Sequence, residues 1–120
     1  MANVFTDVGE DLTTDLWDGT ISVPANWYVA QGTGAGAAAK GDTALTTESA
    51  EARVITTDTQ PTSDQNQHVG TITATGTRAI IEMGLFDAAT TGNMPVRADF
   101  TAINVDSGDK IEFTVQITTA

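Results

Sequence analysis

The side chains that could do chemistry in this chain are few and scattered. His68 is the only histidine, so any Ser-His-Asp or Cys-His mechanism would have to run through it. It begins a predicted strand beside a polar segment, and no nucleophile motif lies near it in the sequence. We therefore expect His68 to be a surface or partly packed residue rather than a catalytic one.

Acidic side chains are abundant, and two carboxylates can act as general acid and base when a cleft shifts their pKa values apart. The carboxylates to test for such an activity are Glu48, Glu51 and Glu82. Pairs such as Glu10 with Asp11, or Glu48 with Glu51, lie in polar segments, which favours solvated side chains. We therefore predict no catalytic residue, no cofactor and no enzymatic activity.

Two other motifs have the composition of binding loops without their required spacing. Gly32-Thr-Gly34-Ala-Gly36 lacks the Gly-Lys-Ser/Thr of a P-loop and the βαβ context of a dinucleotide site. The segment 32–39 is predicted to be either a mobile loop or a run of small residues packed closely under another element. The Asp-x-Asp-x-Asp-Gly calcium pattern is also absent, which leaves only incidental calcium binding by acids such as Asp106 and Asp109; no metal site is predicted.

Charge and composition exclude several partners. The 120 residues, enough for one domain, include 16 acids and 5 bases, a formal charge of −11. This argues against nucleic acid and against an anionic membrane surface. The acidity either keeps the protein soluble or suits a basic partner or divalent cations. No run of about 20 apolar residues is present, and no secretory signal is visible, so we expect synthesis in a cytoplasm without export by a standard signal. Without cysteine, disulfides and thiolate metal sites are excluded.

The residue pattern predicts an all-β fold. Threonine, which favours half-exposed strands, occurs 22 times against 4 serines. Trp17, Trp27, Tyr28 and the phenylalanines are expected to supply most of the large core volume. Apolar and polar residues alternate most clearly in 110–118, after a turn at 106–109. The predicted strands are 20–23, 26–31, the end of 51–57, 68–75, 78–86, 93–100 and 110–118.

Connections this short favour antiparallel pairing and predict an antiparallel β-sandwich of the jelly-roll or immunoglobulin-like kind. A hairpin loop is predicted at 87–93 and a polar loop at 58–67. A helical turn is predicted within 42–51, with Asp42 as its cap. Arg53, Arg78 and Arg97 are scarce cations in strand-like contexts, and they either pair with acids across a sheet face or anchor a subunit contact.

The first 20 residues have a different pattern from the rest. Apolar residues recur every four positions among acids, which predicts a short amphipathic helix with Thr6 or Asp7 as its cap. The alternative is an irregular arm that folds onto a neighbouring subunit. We divide the chain into an N-terminal arm or helix, 1–20, and a single β-sandwich domain, 21–120. The predicted partner contacts are the apolar residues of the first part: Val4, Phe5, Val8, Leu12 and Leu16.

Several segments carry a resemblance to a known group of proteins. They are Trp27-Tyr-Val29, the stretch 32–45, Glu51-Ala-Arg-Val54, Val69-Gly-Thr-Ile-Thr73, Ile81-Glu-Met-Gly-Leu-Phe-Asp-Ala88 and Gly92-Asn-Met-Pro-Val-Arg-Ala-Asp-Phe100. Taken in this order, they resemble small β-rich structural proteins encoded by tailed bacteriophages. The likeness covers residues 27–118 and leaves out the first 20 residues, whose role it does not explain.

The resemblance implies a virion component that acts as a capsid decoration (cement) protein. Such a protein would bind the major capsid protein on the outside of the lattice, as a homo-oligomer with a trimer favoured, and would stabilise the head. The resemblance brings no catalytic residues, because the group is non-enzymatic. The alternative that it leaves open is a tail-fibre or receptor-binding module, for which the scarcity of aromatics able to stack on sugars is unfavourable.

Overall fold

The computed structural model describes residues 2–119, which form eight strands and one short helix. The elements are β1 Ala2–Phe5, α1 Asp7–Asp18, β2 Tyr28–Gly32, β3 Val54–Ile55, β4 Thr57–Thr62, β5 Gln65–Thr73, β6 Arg78–Phe86, β7 Val96–Val105 and β8 Lys110–Thr118. They build a five-stranded sheet in the order β1-β7-β6-β2-β3 and a three-stranded sheet in the order β4-β5-β8. Every paired strand is antiparallel. The predicted all-β sandwich with an N-terminal helix is confirmed.

The core lies between the two sheets. Ile72 and Phe113 from the smaller sheet belong to the same buried cluster as Val29, Ile80 and Leu85 from the larger one. Burying apolar area of this kind contributes about 25 cal/mol per Å², and alternation along each strand directs these side chains inward. The predicted strands at 78–86 and 110–118 agree with β6 and β8 at both ends.

Strand β6 is buried on both faces, which explains its nearly continuous apolar sequence. Met83 and Leu85 face the second sheet. Phe86 lies on the opposite face, where it packs with Leu45 and Met94. Leu45 belongs to the glycine-rich and threonine-rich segment 33–47, which we call the cover loop. Within the small-residue stretch 32–39, Gly32 and Gly34 are buried close against Glu82 and residues 46–47, whereas most of the other residues are exposed. The prediction of close packing is therefore confirmed at these two glycines alone.

The predicted helix is confirmed, and Thr6 rather than Asp7 is its cap. The Thr6 Oγ1 accepts a hydrogen bond from the Gly9 N–H at 3.1 Å, and Gly19 ends the helix with a left-handed φ of 71°. The chain before the helix is a strand, because β1 pairs with β7. Val4 therefore lies on a strand and not on the helix. The division of the chain at residue 20 stays a prediction.

The predicted edge strand at 20–23 is wrong. These residues are irregular, because Gly19 turns the chain away from the helix axis and the terminal positions of the larger sheet belong to β1 and β3. The predicted helical turn in 42–51 is also wrong. The backbone N–H groups of Thr46 and Thr47 bind the carboxylate of Glu82 instead of helical carbonyls.

The predicted polar loop at 58–67 is wrong as well, because most of it forms a hairpin. Strand β4 pairs with β5, and Thr62 lies opposite Gln65 across the turn. Every residue of β4 is exposed, so it has none of the apolar alternation that usually reveals a strand. Pro61 is tolerated because β4 is a terminal strand with a register shift between Thr59 and Thr62. The turns predicted at 87–93 and 106–109 are confirmed.

Candidate functional site

The carboxylate of Glu82 organises the cover loop over the outer face of the larger sheet. Glu82 lies on β6 and is fully buried. Its Oε2 accepts hydrogen bonds from the N–H groups of Gly34 and Thr47, each at 2.9 Å, and its Oε1 accepts one from the N–H of Thr46 at 2.8 Å. One buried acid thus satisfies three backbone donors of a segment that has no regular secondary structure.

Arg97 completes this cluster from the neighbouring strand β7. Its Nη2 donates to Glu82 Oε1 at 3.0 Å, and its Nη1 donates to Asp42 Oδ2 at 2.9 Å. The guanidinium is 2% exposed. Asp42 Oδ2 also accepts from the N–H of Ala39 at 2.8 Å. Asp42, predicted as a helix cap, instead links a turn of the cover loop to Arg97.

The electrostatics of the cluster keep both partners charged. Burial alone would raise the pKa of Glu82, but hydrogen bonds from Thr47, Arg97, Thr46 and Gly34 outweigh it, and the net pKa is lowered. Burial would lower the pKa of Arg97, yet its contacts with Glu82 and Asp42 raise it overall. A general acid or base needs a pKa near the working pH. The pKa of Glu82 is lowered, which takes it further from neutral pH. The cluster is therefore suited to holding the loop rather than to transferring protons.

A second buried acid, Glu51, has a similar role at another corner of the fold. It accepts from the Arg78 Nε at 2.8 Å, from the Thr75 Oγ1 at 2.7 Å and from the Gln31 Nε2 at 3.1 Å. Burial would raise the pKa of Glu51, but hydrogen bonds from Thr75 and Arg78 lower it well below its usual range. This contact fixes the turn between β5 and β6 against β2 and the segment before β3.

The third pair joins Glu48 and Arg53 through two hydrogen bonds, both at 2.9 Å. The Arg53 guanidinium also lies 3.6 Å from the centre of the Phe86 ring and donates to the carbonyls of Ala88 and Thr91. It thereby anchors the loop between β6 and β7. Each of the three arginines pairs with acids. The predicted pairing across a sheet face is confirmed for Arg97 and Glu82, which lie on adjacent strands; Glu48 and Glu51 lie outside the strands. The alternative, an anchor for a subunit contact, stays a prediction.

The carboxylates considered for catalysis are therefore divided among separate ion pairs. Glu48, Glu51 and Glu82 each bind a different arginine, so the charged partner of each carboxylate is a cation. The sequence does not indicate which acid pairs with which arginine. It indicates only that each of the few basic residues has many acids available as partners.

His68 is packed rather than solvated. Its Nδ1 lies 2.7 Å from Asp58 Oδ1, and its ring centre lies 5.7 Å from that of Trp27. The side chain is 8% exposed. This agrees with the expected partly packed histidine. Asp58 also accepts a hydrogen bond from the Thr56 hydroxyl. The carboxylate thus links His68 of β5 to Thr56, which in turn binds the Trp27 carbonyl just before β2.

A groove of about 660 Å³ lies beside the helix. We call it the helix groove. Of the five predicted contact residues, Val4, Phe5, Leu12 and Leu16 line it, whereas Val8 does not. The sequence analysis missed the other main contributors. The groove is lined by Asn3, Val4, Phe5, Gly9, Leu12, Thr13, Leu16, Trp17, Val23, Trp27, Asn66, His68, Leu85, Pro95, Val96, Gln116, Ile117, Thr118 and Thr119.

Trp17 corrects an expectation about the core. It is 80% exposed, and Val23 is 72% exposed, on the same groove. The buried face of the helix is set by Gly9 and Leu12. At about 100° per residue, Trp17 lies about 140° around the helix from Leu12 and points away from the core. The exposure of Trp17 could have been predicted, because this residue lies outside the four-residue period of the apolar positions.

Within residues 2–119, no group of three or more acidic or histidine side chains is placed to hold a metal ion. The helix in this part of the chain is too short and too polar to cross a membrane. Asp106 and Asp109 instead complete their turn, where the N–H of Asp106 donates to Asp109 Oδ2 at 2.8 Å. Whether such loop acids take up calcium stays a prediction.

The fold and its ion pairs define a β-sandwich whose buried charges fasten loops to sheets, with a groove beside the helix. Residues 12–120 match the family described as Podophage GP4 fiber I protein gp80, and the chain belongs to this family. A comparison with curated proteins finds no match. The protein is therefore a bacteriophage structural protein, as the resemblance implied. The family is described as a fibre protein, which favours the tail-fibre alternative over capsid decoration.

Proposed function

We propose that this protein is a non-enzymatic structural component of a bacteriophage tail fibre. The observation that carries the proposal is the match of residues 12–120 to a fibre protein family. The matched region begins within α1 and includes every later strand. The capsid decoration role rests on the segment resemblance alone.

The ion pairs support a structural rather than a catalytic protein. Four of the five basic side chains are held within the chain by acids. These pairs attach the cover loop and the β6–β7 loop to the sheets, so that loops without secondary structure keep a fixed shape. A fibre component acts through the surfaces that it presents, and fixed loops lower the entropy lost when such a surface binds.

The assembly state remains a proposal of its own. We expect a homo-oligomer, with a trimer favoured, because closed symmetry lets identical copies multiply weak contacts. In the fibre role the other partner is a tail protein, and in the decoration role it is the major capsid protein. Light scattering coupled to gel filtration measures the copy number of the purified chain directly.

Labelling of intact particles separates the two roles. Gold-conjugated antibodies against this chain, viewed on purified phage by electron microscopy, are expected to mark the tail fibres. Phage that lack the gene should have heads of unchanged heat stability and should bind host cells poorly. Labelling across the head surface, together with heads that rupture at a lower temperature, would overturn the fibre proposal in favour of decoration. Supplying the intact gene in trans is the control.

A further inference from the structure

The helix groove combines exposed apolar surface with an opening between the two sheets. Trp17 and Val23 are the two most exposed large hydrophobic side chains among the described residues. Both lie on the groove, whose floor is formed by buried Leu85 and Val96. Single exposed apolar residues are common, but two beside a concave apolar floor are typical of an interaction site. Tryptophan is also the residue type most enriched at binding hot spots.

The strands at the groove favour an extended occupant. β1 and β8 are the terminal strands of their sheets, so each has a strand neighbour on one side only. Both contribute to the groove, through Val4 and Phe5 of β1 and through Ile117 of β8. A terminal strand accepts a further strand through its backbone hydrogen-bonding groups, and alternate side chains of that strand enter the adjacent pockets.

Charge decides between a second copy and a different protein. The lining of the groove contains no Asp, Glu, Lys or Arg. The helix beside it carries five acids and no base over Asp7–Asp18, and the whole chain has a formal charge of −11. A second copy would bring equal negative charge, and four of its five bases are already paired internally. At this groove, the acidic helix attracts a basic segment and repels the acidic helix of a copy.

We propose that the helix groove binds an extended segment of a different virion protein, with apolar side chains alternating with basic ones. The segment runs along the free side of β8, its apolar side chains lie against Leu16, Trp17 and Val23, and its basic side chains face the acidic surroundings of the groove. The inference rests on the proposed function only in placing both proteins in one particle.

Peptide titration tests the chemistry of the site on the purified full chain. Three synthetic peptides of equal length serve as probes: one alternating lysine and valine, one alternating lysine and serine, and one alternating glutamate and valine. The lysine–valine peptide should bind about tenfold or more tightly than the others, since only it supplies both apolar contact and positive charge. Equal binding of the lysine–serine peptide would reduce the effect to general attraction to an acidic protein and would overturn the proposal.

A matched pair of variants locates the binding surface. The double variant Trp17→Ser with Val23→Ser should weaken binding of the lysine–valine peptide about tenfold, a loss typical of an aromatic hot spot. The control is Ile55→Ser with Ile103→Ser, which removes two exposed apolar side chains outside the groove and should leave binding unchanged. Circular dichroism of both variants is used to check that each one is folded. Equal weakening in the two variants would overturn the assignment.

Cross-linking in the particle tests the identity of the partner. Phage are grown with p-benzoylphenylalanine in place of Trp17, and the cross-linked peptides are identified by mass spectrometry. A basic segment of another virion protein is the expected product. Cross-linking to a second copy, or no cross-link in particles that contain the protein, would overturn the proposal. Particles that lack the protein altogether would contradict the proposed function. The peptide titration uses the purified chain alone, so it would still test whether the groove binds a segment of this chemistry.

Discussion

Arg97 Nη2 lies 3.0 Å from Glu82 Oε1, and neither side chain is more than 2% exposed. The two residues lie on adjacent strands, β7 and β6, and they close the outer face of the larger sheet together with the cover loop. In many β proteins a helix or a second sheet covers such a face. Here a buried ion pair and three backbone N–H groups hold an irregular segment in that position.

The first prediction concerns the loss of the buried carboxylate. Glu82→Gln should lower the free energy of unfolding by about 3 kcal/mol, because it leaves a buried guanidinium short of its partner and turns an amide donor towards backbone donors. Urea denaturation followed by circular dichroism measures this difference. Glu10→Gln is the control, since Glu10 and Lys40 are each 55% exposed, and it should have little effect. A loss below about 1 kcal/mol would mean that the buried pair contributes no more than an exposed one.

The second prediction is the direction of the pH dependence. Glu82 and Glu51 have folded pKa values below the ordinary glutamate value of 4.5. The unfolded chain therefore takes up protons first as the pH falls, and stability present above about pH 4.5 is lost below it, towards the folded pKa values. Urea denaturation at intervals from about pH 7 to about pH 3 measures the slope. The slope should be smaller in Glu82→Gln, and identical slopes would contradict the assignment.

The third prediction tests the close packing of Gly34, a residue of the cover loop, against Glu82 and the end of the same loop. A Cβ at Gly34 would lie 2.5 Å from the Thr46 Cβ and the Thr47 nitrogen, and 2.6 Å from Glu82 Oε2. Gly34→Ala should therefore destabilise the protein by about 1–3 kcal/mol, the usual range for overpacking. At Gly41, in the same loop, a Cβ would meet nothing within 4 Å, so Gly41→Ala should change stability by less than about 0.5 kcal/mol. Thermal unfolding measures the loss of stability in both variants. Equal losses would show that Gly34 is not closely packed in the folded protein.

The fourth prediction concerns the start of the helix. The buried Thr6 hydroxyl donates to the Met94 carbonyl at 2.6 Å and accepts from the Gly9 N–H. Thr6→Val keeps the shape but removes both bonds, so it should cost about 1–2 kcal/mol. Thr14→Val is the matched control, because its hydroxyl binds Asp11 on the exposed side of the helix. Chemical denaturation should rank Thr6→Val well below Thr14→Val, and a reversed order would contradict the capping role.

The elements with strong local periodicity were predictable from the sequence. Strand β8 alternates apolar and polar residues throughout, and its predicted bounds match Lys110–Thr118. The helix followed from apolar residues four positions apart and a threonine cap. In both cases one face is buried and the other exposed, so apolar and polar residues follow the period of the element along the sequence.

Elements without such periodicity were mispredicted. Strand β4 is exposed along its whole length and contains Pro61, so it has the composition of a loop. The helical turn expected at 42–51 is absent because Glu82, which lies far along the chain, binds the N–H groups of Thr46 and Thr47. Distant partners of this kind override local preference.

The sequence by itself determined an acidic, cysteine-free, antiparallel β protein whose first 20 residues form a helix or an arm, because charge, composition and period are properties of near neighbours. Only the tertiary structure decided that Glu82 pairs with Arg97, that the cover loop lies over a sheet, that residues 1–20 contain a helix, and that Trp17 faces outward beside a groove. These depend on strand order and register, which bring together residues far apart in the chain. Three arginines among sixteen acids allow many pairings, and the sheet geometry permits the few that form.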